Sequence, residues 1–229
     1  MHELPLKTLE LLSVLESEFL RNADVKNAEK QKVYMRNQFA FYGLTAGNRR
    51  EVTLPFLMKN YLPAKEELSD LVKALWEKPE REYHHFALDL LLKYTRQLEV
   101  NDIVLFEYMV THNSWWDTVD VVADKLMGAY FKKFPESRQK FMDKWLKSNN
   151  LWLQRSTLLF QLKYKTDTDT EMLCYCINNL LGSKEFFINK AIGWVLRQYS
   201  KTNPRWVIQF SEKTNLSPLS RKEALRLIK

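Results

Sequence analysis

Glycine, proline and cysteine are all scarce in this chain, whose 229 residues include five glycines, seven prolines and two cysteines. The shortage of glycine and proline leaves few sites for the tight turns that join β-strands, which argues against a protein built from sheets. The two cysteines, Cys174 and Cys176, are spaced too closely for a structural disulfide within a helix. We therefore expect a reducing compartment, the cytoplasm, rather than secretion.

Long apolar runs are also missing. No stretch reaches the roughly 20 apolar residues that a membrane-spanning helix needs, and the first ten residues lack the apolar core of a signal peptide. We therefore expect no membrane partner. No phosphate-binding glycine loop, dinucleotide motif, metal-ligand spacing or catalytic serine–histidine–aspartate order is present, so neither a metal nor a nucleotide cofactor is predicted.

What the chain does contain is a large apolar fraction and an excess of positive charge. Hydrophobic residues make up 45% of the sequence, which is enough to bury a core and argues against a disordered chain. Thirty-five lysines and arginines outnumber 28 acidic residues, for a net charge of +7. This composition predicts one monomeric domain over residues 1–229, and the charge favours a polyanionic partner such as nucleic acid.

Apolar residues recur with the period of amphipathic helices along almost the whole chain. Thr168 with Glu171, and Ser114 with Asp117, have the spacing of capping boxes, and Asn203-Pro204 is typical of a helix start. We predict an all-α protein with helices over residues 6–21, 25–39, 47–61, 65–77, 80–97, 102–112, 115–133, 138–148, 151–165, 170–181, 184–201, 204–213 and 219–228.

A small or short residue recurs in these helices at steps of 33, 36, 35 and 33 residues, at Ala87, Asp120, Ser156, Ala191 and Ala224. This period suits the two-helix units of a HEAT-like or armadillo-type solenoid, for which we predict a concave basic groove. Asp120 breaks the pattern, because it places a carboxylate where the other four positions hold alanine or serine. It also lies four residues after Trp116, on the same side of the helix. A solvated surface aspartate is the alternative.

One predicted helix combines two faces of different character. Its apolar stripe contains Ile188, Ala191, Ile192, Val195 and Tyr199. Phe187, Lys190, Trp194 and Arg197 follow spacings of three, four and three on another face. Arg155, three residues after Trp152, repeats the pairing of an aromatic with a basic residue. Such a face suits an anionic and aromatic partner, for which nucleic acid is the best candidate. Packing of Trp194 at a seam between helices is the alternative.

Several segments in order resemble the AlkD-type DNA alkylation repair family, bacterial DNA glycosylases built from HEAT-like repeats. The segments include Leu75-Trp-x2-Pro-Glu-Arg-Glu82, Ser114-Trp-Trp-Asp-x-Val-Asp120, Asn150-Leu-Trp-Leu-Gln-Arg155, Lys190-Ala-Ile-Gly-Trp-Val-Leu-Arg197 and Lys201-Thr-Asn-Pro204. The likeness covers nearly the whole chain. One departure is Thr45-Ala-Gly-Asn48, where relatives usually have a proline, and it puts a DNA contact near these residues in question.

The resemblance implies hydrolysis of the N-glycosidic bond of cationic N3- and N7-alkylated purines in duplex DNA, as part of base excision repair. It implies that Asp120 is the catalytic carboxylate and that Trp116 and Trp194 flank it. It also implies that the lesion stays stacked in the duplex. The alternative function is a non-catalytic HEAT-like module that binds DNA or another protein.

The resemblance assigns further residues to DNA binding. It implies that Arg155 holds the DNA backbone near the lesion, and that Tyr34 and Arg197 line the DNA-binding face. Phe187 and Lys190 join this set because they share a helix face with Arg197.

Overall fold

The computed structural model describes residues 6–228, so residues 1–5 and 229 of the predicted single domain lie outside it. The regular structure in this range is helical, and the strand-like pairing described there is a single bridge between Ala40 and Glu80. The all-α prediction is thus confirmed. None of the described helices has the length and apolar character needed to cross a membrane.

The described chain forms two compact units that divide between Gln97 and Leu98. The first unit contains α1 (Leu6–Arg21), α2 (Val25–Tyr34), α3 (Ala46–Thr53), α4 (Leu68–Trp76) and α5 (Arg81–Leu92). The second contains α6 (Asp102–Thr111), α7 (Trp116–Val121), α8 (Gly128–Lys133), α9 (Arg138–Leu146), α10 (Leu151–Leu159), α11 (Thr170–Leu180), α12 (Phe186–Ser200), α13 (Pro204–Lys213) and α14 (Pro218–Ala224). A π-helical segment, Val122–Met127, joins α7 to α8.

Most predicted helices are present, and several end earlier than the periodicity indicates. The helix predicted over 25–39 ends at Tyr34, because Arg36 and Asn37 adopt positive φ values of 55° and 58°. The helix predicted over 151–165 ends at Leu159 and is followed by a turn, and the positive φ of 55° at Lys165 prevents the helix from resuming there. Left-handed backbone of this kind ends a right-handed helix whatever the side-chain pattern.

Two of the three predicted caps are wrong. The side chain of Asp169, rather than Thr168, accepts from the amide of Met172 and caps α11. Ser114 does not cap α7, because its hydroxyl donates instead to the carbonyl of Val110 at the end of α6. The cap at Asn203 is confirmed, since its side chain accepts from the amide of Trp206.

Contacts in the second unit repeat at about the predicted period. Side-chain hydrogen bonds join Lys132 to Asp167, Tyr164 to the carbonyl of Gly128, and Ser220 to the carbonyl of Asn189, across sequence separations of 35, 36 and 31 residues. Ser156, Ala191 and Ala224 are fully buried at their repeat positions, as is Ala87 in the first unit. Each of these small side chains leaves room for a neighbouring helix, and the fold is an α-helical repeat.

Candidate functional site

The centre of the candidate site is a buried ion pair between Asp120 of α7 and Arg155 of α10. Arg155 donates from Nε to Oδ1 at 2.7 Å and from Nη2 to Oδ2 at 2.9 Å, while its Nη1 donates to the carbonyl of Phe187 at 2.5 Å. These three hydrogen bonds, which we call the Arg155 fork, link α7, α10 and the first turn of α12. Bidentate pairing of this kind fixes both the position and the plane of the carboxylate.

The two partners differ in their access to solvent. The Arg155 side chain is 4% exposed, whereas the Asp120 side chain keeps an exposure of 15%. Arg155 is therefore a partner of Asp120 and of the Phe187 carbonyl in this structure, rather than a cation presented on the surface. Because the Asp120 carboxylate is more open, it is the half of the pair that a ligand can reach.

The electrostatics of Asp120 reflect two opposing influences. Burial raises the pKa of its carboxyl above the ordinary value, while the hydrogen bonds and charge of Arg155 lower it. Asp117 and Asp124 add a smaller rise by like-charge repulsion. Since a guanidinium stays protonated in proteins, Arg155 holds a positive charge against both oxygens of the Asp120 carboxyl group, at a site where water screens weakly.

The local sequence explains how Arg155 reaches Asp120. The side chain of Asn150 accepts from the amides of Trp152 and Leu153, which fixes the start of α10. Arg155 is the fifth residue of this helix, so the cap at Asn150 also fixes the position of Arg155. Trp115 adopts extended backbone as the residue before α7, so that Trp116 begins the helix and lies one turn before Asp120.

Four tryptophans belong to the site. Trp116 and Trp194, the two predicted to flank Asp120, are both half-buried on α7 and α12. Trp115 and Trp152 form an aromatic cluster with Phe187, in which the ring centroids lie 5.0–5.6 Å apart. Trp115 was not predicted as a site residue, and its indole N–H is buried without a hydrogen-bond partner. Phe187 thus packs inside a cluster that supports the Arg155 fork.

The two faces predicted for the helix after Lys184 are confirmed in α12. Ile188, Ala191, Ile192 and Val195 are each at most 2% exposed. Tyr199, at the end of the predicted stripe, is half-buried and packs against Trp206. Phe187, Lys190, Trp194 and Arg197 are all half-buried. The second face is therefore partly accessible along about three turns of one helix, starting at the residue whose carbonyl contacts Arg155.

Glu223 of α14 is a functional candidate that the sequence reasoning missed. Its carboxylate binds Lys190 at 2.6 Å through Oε2 and Arg197 through Oε1, and its side chain is 8% exposed. In the sequence, Glu223 directly precedes Ala224, the small residue of the last repeat, and it belongs to no motif that indicates a functional role. Its role becomes visible only once α12 and α14 are brought together.

Asp124 and Lys163 form a second pair between neighbouring repeat units, also missed from sequence. Lys163 donates to Oδ2 of Asp124 at 2.7 Å, and the Oδ1 atom of this carboxylate is buried without a hydrogen-bond partner. Asp124 lies in the π-helical segment that follows Asp120. Segments of this kind are frequent at functional sites.

Tyr34, the remaining predicted DNA-binding residue, belongs to the first unit. It ends α2, and its side chain is among the exposed large ones, with 69% exposure. None of the residues of α2 is buried. Thr45, in the segment that departs from the family pattern, caps α3 by accepting from the amide of Asn48, so this segment begins a helix without a proline.

Comparisons with known proteins agree on one family. A family model described as DNA alkylation repair enzyme matches residues 15–228. The chain is also similar to a solved structure titled "Predicted DNA alkylation repair enzyme from Enterococcus faecalis", with 33% identity, coverage of 90% of this chain and 96% of that chain, and a TM-score of 0.84. No match was found among curated proteins. Because the family model spans nearly all of the sequence, the chain belongs to the DNA alkylation repair enzyme family.

Proposed function

We propose that this protein is a DNA glycosylase that hydrolyses the N-glycosidic bond of cationic N3- and N7-alkylated purines in duplex DNA. The observation that carries the proposal is Asp120. It replaces the small residue of the repeat, it is held in one orientation by the Arg155 fork, and it remains partly accessible. Membership of a DNA repair family supports DNA as the substrate, as does the net charge of +7.

The chemistry needs only one carboxylate. An N3- or N7-alkylated purine carries a positive charge, so it leaves C1′ as a neutral base when the C1′–N9 bond breaks, with the bonding electrons moving to the purine. The deoxyribose then has the character of an oxocarbenium ion, which the charge of Asp120 stabilises. Water adds to C1′ and loses a proton, which leaves a free base and an abasic site.

The remaining site residues receive roles that match their exposure. The half-buried rings of Trp116 and Trp194 offer faces that attract a cationic nucleotide. Arg155 is proposed to act by positioning Asp120, because its side chain is 4% exposed and three of its N–H groups are bonded to Asp120 and to the carbonyl of Phe187. Tyr34, Phe187, Lys190 and Arg197 are proposed to contact DNA.

One observation favours the alternative of a non-catalytic binding module. Both oxygens of Asp120 are already bonded to Arg155, over a separation of 35 residues. Lys132 and Asp167 are linked across the same separation at an exposed position. Asp120 would then be one more link between repeats. This alternative predicts loss of stability, without any activity to lose, when Asp120 is changed.

The test is single-turnover release of 7-methylguanine from a duplex oligonucleotide, measured beside a binding titration. Asp120→Asn keeps the size of the side chain and removes its charge, so we expect the rate to fall by about 10²–10³-fold. Binding should change little, because the charge acts mainly in the transition state. Asp167→Asn is the matched control, since it removes the same charge from an exposed residue. The proposal would be overturned if Asp120→Asn released base at the wild-type rate, or if the wild-type protein released no base.

A further inference from the structure

Three cationic side chains converge on one carboxylate at the packing of α12 against α14. Glu223 binds Lys190 through one oxygen and Arg197 through the other, and Arg226 lies 4.0 Å from the second oxygen. We refer to these four residues as the Glu223 cluster. With three positive charges and one negative charge, the cluster has a net charge of +2.

The carboxylate is the buried member of the cluster and the cations are the accessible ones. The Glu223 side chain is 8% exposed, while those of Lys190, Arg197 and Arg226 are 39%, 24% and 67% exposed. Long basic side chains ordinarily sample many rotamers, which lowers the affinity of any site that they form. A buried acceptor that bonds two of them at once restricts this freedom.

Close packing of α12 on α14 fixes Glu223. A Cβ atom on Gly193 would lie 2.5 Å from the Cβ of Glu223 and 2.9 Å from the carbonyl of Ser220, so the two helices approach closely because this position is glycine. Ser220 adds a hydrogen bond to the carbonyl of Asn189 at 2.8 Å. The glutamate is thus held by two helices, and it points at the accessible face of α12.

We infer that Glu223 is a positioning residue that preorganises Lys190, Arg197 and Arg226 to bind a phosphodiester of the DNA backbone. The inference rests on the proposed function, in that it takes duplex DNA as the ligand. Each cation retains N–H donors beyond those given to Glu223, because an ammonium has three and a guanidinium five. A phosphate oxygen can therefore accept hydrogen bonds from the remaining N–H groups of these cations while Glu223 stays bound to them.

The sign of one substitution separates this inference from simple electrostatics. Glu223→Gln raises the net charge of the protein by one, and charge alone predicts tighter binding to a polyanion. If Glu223 positions the cations, the same change weakens binding despite the added charge. Glu185→Gln is the matched control, because Glu185 is an exposed residue directly before α12 and forms no ion pair among the described residues.

The experiment measures binding to an undamaged duplex by fluorescence anisotropy over a series of salt concentrations. We expect Glu223→Gln to weaken binding about three- to ten-fold and to reduce the slope of log affinity against log salt by about one to two, as for loss of one or two phosphate contacts. Glu185→Gln should bind as tightly as the wild type or more tightly. Circular dichroism and thermal melting identify the temperature range in which each variant is folded.

A second variant keeps the inference testable if Glu223→Gln does not fold. Glu223→Asp retains the net charge and withdraws the carboxylate by about 1.5 Å, the length of one C–C bond. A positioning role predicts a reduced salt slope for this variant also, whereas a loss of stability alone leaves the slope of the folded protein unchanged. Wild-type affinity and slope in either folded variant would overturn the inference. Failure of the wild type to bind any duplex would instead contradict the proposed function.

Discussion

Two helices at equivalent positions of the repeat, α5 in the first unit and α7 in the second, use buried charge in different ways. In α5 the side chains of Arg81, Glu82 and His84 are at most 2% exposed. Glu82 accepts from the amides of Gly43 and Leu44 at 2.9 and 3.2 Å. In α7, Asp120 is bonded to a side chain of the next repeat and keeps part of its surface open.

Arg81, Glu82 and His84 of α5 bind partners within the first unit. Burial lowers the pKa of His84 to about 3, so the ring is neutral and its Nδ1 can accept from Arg81 at 2.8 Å. The guanidinium of Arg81 also stacks over the ring of Phe39 at 3.8 Å. These contacts hold the segment before α3. Burial of charge is therefore no sign of function by itself, and Asp120 differs in that both of its oxygens are bonded to one guanidinium of the next repeat while the side chain stays 15% exposed.

The largest effect on stability is expected from Arg155→Met. The change keeps much of the apolar stem and leaves Asp120 as a buried carboxylate with no cation on either oxygen. Breaking a buried ion pair from one side typically costs about 3–5 kcal/mol. Chemical denaturation should show a loss of this size. A loss below about 1 kcal/mol, the range of exposed pairs, would make the Asp120 site no different from a surface contact.

The same variant should shift the pH dependence of base release. Asp120 must be ionised to stabilise a cationic sugar, so the rate falls as the pH drops through the pKa of its carboxyl. Burial raises that pKa and Arg155 lowers it. Without the guanidinium, the acid limb of the pH–rate profile should move to higher pH. An acid limb at the wild-type position would show that the titrating group is not Asp120.

Glu82→Gln tests the other side of the comparison. The amide oxygen can still accept from Gly43 and Leu44, but these hydrogen bonds lose the assistance of charge, so we expect a loss of stability of about 1–3 kcal/mol. Base release by the folded fraction should match the wild type. Thermal melting and the single-turnover assay measure the two quantities. A drop in rate at full folding would show that the first unit contributes chemistry and not only structure.

The sequence predicted the repeat and the two faces of α12 because both depend on periodicity within the chain. It did not predict the cap at Asp169, nor the early end of α2, because competing caps and left-handed backbone leave little trace in an apolar pattern. It also missed the partners of the site. Arg155 was predicted as a cation for DNA, and only packing between repeats shows that it binds Asp120 and that Glu223 binds Lys190 and Arg197.

The smallest effect is expected where an ion pair across one repeat period is exposed. Lys132 binds Asp167 at 3.0 Å over the same 35-residue separation as Arg155 and Asp120, but the side chains are 47% and 68% exposed. Water solvates both partners in the absence of the contact, so Lys132→Met should lower the free energy of unfolding by less than about 1 kcal/mol. The same substitution at Arg155 removes both hydrogen bonds of a guanidinium from a carboxylate that is only 15% exposed and that water therefore solvates less well. If denaturation gives equal losses for the two variants, the repeat separation and not burial determines the strength of these links, and the contrast between the site and the rest of the second unit fails.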